Sequence, residues 1–134
     1  AKVVPYVEPL TGNISTDMEA IQMVKANLIN KFGPPVLDYI GLDTMEYNYG
    51  PENVGKVIGQ WASRTKTTQN VVLAVAKVGQ KIIESVAHMA TTHWKFENID
   101  RTLILYGVVP KTGIYVVEMN FEMGHPQVTL TPVI

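Results

Sequence analysis

Gly50, four intervening residues, Gly55 and Lys56 have the spacing of a phosphate-gripping loop. Such a loop cradles phosphates with backbone N–H groups, reaches the outer phosphates with its lysine, and holds magnesium with a following Ser or Thr. Val57 stands where that hydroxyl is needed, and Pro51 removes one of the loop N–H groups. The stretch reads instead as the start of an amphipathic helix. Pro51 suits the first helical position and Glu52 the first turn. Val54, Val57, Ile58, Trp61 and Ala62 then recur at helical spacing. No cofactor is expected.

Other reactive side chains do not assemble into a set. His88 and His93 lie five apart, whereas helical zinc ligands lie three or four apart. His125 could join them only through tertiary folding. Glu84 and His88 have the i, i+4 spacing of a surface helix pair. They become an acid–base pair only if both line a pocket. Asp38 shares a side of its strand with Val36, Ile40 and Leu42, which places it at a sheet edge or at a site. Cysteine is absent, so thiolate chemistry and Cys-ligated zinc are excluded. No catalytic, cofactor-binding or metal residue is assigned.

Composition points to surfaces. Of the 134 residues 46% are hydrophobic and 17% charged, against about 25% charged in an ordinary domain. Either the core is large for the length, or neighbouring subunits cover apolar surface. The net charge of −1 gives no field to attract nucleic acid or anionic lipid. Trp61, Trp94, Tyr39, Tyr47, Tyr49 and Tyr106 lack the interleaved basic residues of a nucleic-acid platform. No apolar run approaches the ~20 residues that span a bilayer. Neither nucleic acid nor membrane is expected as a partner. A cytoplasmic location is expected, with an assembled extracellular or virion structure as the alternative.

These features must be held by a small set of elements. Residues 1–14 read as an extended arm, with Pro5 and Pro9 forbidding helix. Thr16 to Glu19 has the spacing of a capping box, opening a helix that Gly33, Pro34 and Pro35 stop. Residues 36–42 and 45–49 alternate as a hairpin with its turn at Asp43-Thr44. The helix from Pro51 follows. A wide apolar stripe from Val71 to Ala90 predicts a long second helix despite its β-branched content. Leu103 to Val109, Ile114 to Phe121 and QVTLTPVI then make a three-stranded meander. Its first turn is Pro110 to Gly113, with Gly113 left-handed. Its last strand is an edge, because Pro132 cannot donate to a ladder. The fold class is α+β: one five-stranded antiparallel sheet with two or three helices packed on it. Extended N- and C-terminal arms flank it. Residues 15–134 form a single domain beyond the arm.

"VLDYIGLDTMEY" (Val36 to Tyr47) and "NVVLAVAKVGQKIIESV" (Asn70 to Val86), in the order helix, hairpin, helix, three strands, resemble the roadblock-type dynein light-chain family. The resemblance implies a homodimer without catalysis, serving as a scaffold or as a platform for a small GTPase.

The expected function is that of a non-enzymatic, self-associating structural or scaffold protein. Its partner is itself, in a homo-oligomer, with a small GTPase or another protein as a further partner. Val3, Val4, Tyr6 and Val7, with Val128, Leu130 and Val133, are expected to contact neighbouring subunits or seal sheet edges. One alternative is a repeating subunit of a filament or virion shell. Another is a small oligomeric enzyme whose inter-subunit site uses Asp38, Glu84 or His88.

Overall fold

The computed structural model describes residues 10–122 and 124–133. The expected interface residues Val3, Val4, Tyr6 and Val7 lie outside them. The chain forms two compact units, residues 1–89 and 90–134.

In the first unit, α1 runs Ile14–Phe32. Its cap lies one turn earlier than the Thr16 box: the Asn13 side chain accepts from the Thr16 N–H at 3.1 Å. At the far end Gly33, at φ 77°, donates its N–H to Ile29 O. Strand β1, Leu37–Gly41, leads directly into helix α2, Leu42–Tyr49. Helix α3, Pro51–Thr65, has Pro51 in its first turn as the sequence predicts. Strand β2, Val71–Val75, pairs in parallel with β1, as the α2–α3 crossover permits. Helix α4, Lys81–Val86, continues into a 3₁₀ turn at Ala87–Met89.

Two expected elements are corrected here. Residues 45–49 are helical, not the second arm of a hairpin. Met45 and Tyr49 fit alternation as well as period 3.6, but Leu42 joins them only at helical spacing, and all three are buried while Tyr47 is 91% exposed. The long second helix is also absent. Val71–Val75 is a strand, as its β-branched residues prefer, and Gly79 at φ 91° precedes the short α4.

The core of this unit joins Leu42, Met45 and Tyr49 of α2 to Val54, Ile58 and Trp61 of α3 and Ile82 and Val86 of α4. The α3 residues recur at i, i+4, i+7, which puts one apolar stripe inward. Val54 and Ile82 are fully buried, contributing roughly 1.5–3 kcal/mol each.

The second unit is a meander of four antiparallel strands in the order β3-β4-β5-β6. These are His93–Ile99, Thr102–Val109, Lys111–Asn120 and Gln127–Pro132. The expected single five-stranded antiparallel sheet is therefore replaced by this sheet and the two-stranded parallel one. The class α+β stands. Strand β3 was not foreseen. The β4–β5 connection is tighter than predicted: Lys111 already pairs with Val108, and Gly113 lies inside β5 without a positive φ. Gly107 is the glycine that close packing requires. A Cβ there would fall 2.5 Å from Pro110 O, and its N–H donates to Thr112 Oγ1 at 2.8 Å.

Asp100 and Arg101 join β3 to β4 with φ of 47° and 68°. Two successive positive φ values make the turn whose twist matches a hairpin, and glycine is the residue that adopts the second at least cost. Arg101→Gly should raise unfolding stability by roughly 0.5–1 kcal/mol. Urea denaturation measures this, and a lower midpoint for the variant would contradict the turn geometry.

Candidate functional site

Strand pairing sorts the second sheet's side chains onto two faces. Trp94 pairs with Gly107, Phe96 with Leu105, and Asn98 with Leu103. Leu105 pairs with Tyr115 on the next strand. Tyr115, Val117 and Met119 pair with Pro132, Leu130 and Val128. Paired residues share a face. One face is thus built from Trp94, Phe96 and Asn98, then Leu103 and Leu105, then Tyr115, Val117 and Met119, then Val128, Leu130 and Pro132. Among these residues only Tyr115 has an ionisable side chain, its phenol.

The opposite face carries Lys95, Glu97, Tyr106, Glu118, Thr129 and Thr131 around Ile104 and Val116. There the Tyr106 hydroxyl donates to Glu97 Oε1 at 2.8 Å. That bond raises the Tyr106 pKa above its ordinary value, with burial and the Glu97 charge adding to it.

The apolar face is open. Phe96 is 56% exposed, Met119 57% and Val128 59%. Leu105 and Val117 in the middle strands are buried. Val128 and Leu130, both expected at an interface from sequence, lie on this face in edge strand β6. Val133 lies just past β6, exposed, its N–H donating to Ile114 O. Trp94 and Phe96 were not singled out for this role. Their signal was the alternation of Trp94 and Phe96 with Lys95 and Glu97.

The chemical candidates stay apart. Asp38 pairs with Lys25 of α1, and both side chains are largely buried. Glu84 and His88 are exposed in α4 and in the turn after it. Lys56 pairs with Glu52 at 2.9 Å on the surface of α3, one helical turn away. Among the described residues, no group of three His, Asp or Glu could hold a metal. A hollow of about 180 Å³ between α1 and α3 is lined by Gln22, Lys25, Ile29, Trp61 and Arg64 among others. An open depression of about 520 Å³ adjoins it, with Met18, Glu19, Met23 and Val57. Neither is lined by Asp38, Glu84 or His88, and neither sets a nucleophile against a base. No described helix is long and apolar enough to cross a membrane.

Asp17 is the most perturbed acid, and its environment is structural. It is 1% exposed. Its carboxylate accepts from the Thr11 N–H at 2.9 Å and the Thr11 hydroxyl at 2.6 Å. It also accepts from the Gly12 N–H at 3.1 Å and the Tyr49 hydroxyl at 2.6 Å. Burial alone would raise its pKa. These donors more than offset burial and bring it down to about 2. Tyr49 shifts upward, from burial first and then from the bond to this carboxylate. Asp17 thus staples the segment before α1 to α2.

No protein-family model matches the chain, and no curated protein matches it either. The two segments that carry the roadblock resemblance fold as a strand running into a helix, and as a strand, a loop and a short helix. The resemblance therefore contributes nothing to the functional reading below.

The Asp17 contacts set a pH window. Its folded pKa of about 2 lies below the ordinary 3.8, so the unfolded chain binds the proton more readily. The stability it confers is complete above 3.8 and is lost as pH falls through about 2. The melting temperature of the wild type should therefore drop more steeply across this window than that of Asp17→Asn. Parallel acid melting curves for the two proteins would contradict the staple.

Proposed function

We propose that this protein is a non-enzymatic, self-associating structural or scaffold subunit. The observation that supports the reading is the open apolar face of the β3–β6 sheet. A sheet with one apolar face is stabilised by a second layer packed on it. The occupant we assign is the same face of a second copy.

Two features favour a copy of this chain over another partner. Apposed copies bring no like charges together among the paired residues named above, because none of those carries an ionised group. Five of its large apolar side chains, Trp94, Phe96, Met119, Val128 and Leu130, are also 45–59% exposed, which leaves apolar area for a partner to cover. An isologous contact of this kind closes on itself about a two-fold axis. In this reading Val128 and Leu130 would contribute through a sheet face and not through a free arm.

Sedimentation velocity over a concentration series tests the reading. Phe96→Glu or Leu130→Glu places a charge on the face and should weaken association at least tenfold, since ~1.4 kcal/mol suffices. Thr129→Lys on the opposite face, beside Glu118, should leave association unchanged. Association that resists both face variants would rule this surface out.

A further inference from the structure

Strand β2 offers a second surface, of a different kind. Val71 N–H donates to Val36 O at 3.0 Å, and Val71 pairs with Leu37. In a parallel ladder this directs the N–H and C=O groups of Val71, Leu73 and Val75 toward β1. Those of Val72 and Ala74 then point to the outer edge. Among the described residues, no strand pairs on that edge. Ala74 is exposed.

The edge also lacks the guards that sequence supplies. Val71–Val75 contains no charge, no proline and no bulge, and each of its residues except Ala74 is strongly apolar. Soluble proteins guard free edges with such devices because unguarded ones pair with another strand.

We infer that β2 pairs antiparallel with β2 of a second copy, about a two-fold axis at Leu73. This rests on the self-association reading and adds a contact to it. Val72 then faces Ala74 of the second copy, and each pair exchanges both backbone bonds. The same outward groups serve both copies, which is what a two-fold contact requires. On the exposed face Val71 meets the second copy's Val75, and Leu73 meets its own counterpart. These are apolar cross-strand pairs, and no charge opposes another. Two-fold contacts through two separate surfaces carry assembly beyond a dimer.

Multi-angle light scattering of the full chain tests this with Leu73→Lys and Leu73→Glu, alone and mixed. Leu73 is about half exposed, and circular dichroism checks that both variants fold. Each variant alone places like charges on the axis and should stop at the dimer, while the wild type grows larger. The equimolar mixture should regain the wild-type mass, because opposite charges then meet. Ala74→Pro, which removes an outward N–H and leaves the β1 ladder intact, should also stop at the dimer. Wild-type mass for Leu73→Lys alone, or no recovery on mixing, overturns the β2 contact only. A wild type that is monomeric at every concentration overturns self-association itself.

Discussion

A sheet needs a second layer before its apolar face is removed from water, and residues 90–134 supply only one layer. No described residue in that unit is helical. Ten apolar or aromatic side chains therefore share one face, from Trp94 in β3 to Pro132 in β6, and Trp94, Phe96, Met119, Val128 and Leu130 among them are about half exposed. Their burial would stabilise the unit at about 25 cal/mol per Å² of apolar area. The hydrogen-bond ladder fixes which side chains share that face, and a slip of one residue would exchange it for the polar one. The two tight connections, at Asp100-Arg101 and around Gly107, pin the register on both sides of β4.

The first unit solves its own burial differently. Three helices interleave Leu42, Met45, Val54, Ile58, Trp61, Ile82 and neighbours around one core. Two polar contacts then tie other parts to it. The Asp17 carboxylate gathers donors from Thr11, Gly12 and Tyr49, and Lys25 of α1 meets Asp38 of β1. Removing one partner of such a pair would strand a charge in a poorly solvated place, so the pairing specifies geometry more than it adds stability. The outer side of the β1–β2 pair, with Leu37, Tyr39, Val71, Leu73 and Val75, stays exposed. Parallel sheets are ordinarily covered on both faces. The two units thus share one property, apolar strand surface that their own residues leave open, and it fits the low charge content of the chain.

Part of this was legible in the residues. Helix α3 could be read from its apolar spacing and from Pro51, because both report local backbone geometry. Strand β5 could be read from Tyr115, Val117 and Met119 alternating with Glu118 and Asn120. Pro132 correctly marked an edge. The misreadings arose where two periods coincide. Met45 and Tyr49 satisfy both alternation and a helical stripe, and only burial of Leu42 beside them decides. In Val71–Val75 the continuous apolar run carried no period at all, and β-branching was the better guide. The Asp17 staple could not be read, since its partner Tyr49 lies 32 positions away and meets it only through the fold. The apolar sheet face is half visible in the residues: alternation places Val128 and Leu130 together, while Trp94 and Phe96 join them only once β3 is known to pair with β4.

The chain contains no cysteine, so one introduced cysteine gives a single labelling site per copy. A spin label at Thr129→Cys, on the polar side of β6, would report on a neighbouring sheet through electron–electron dipolar coupling. Two sheets stacked through their apolar faces lie ~10 Å apart, so outward labels on each should show one defined separation of roughly 20–40 Å. A signal with no dipolar modulation between copies, at concentrations where the protein is abundant, would contradict a core completed by a second molecule.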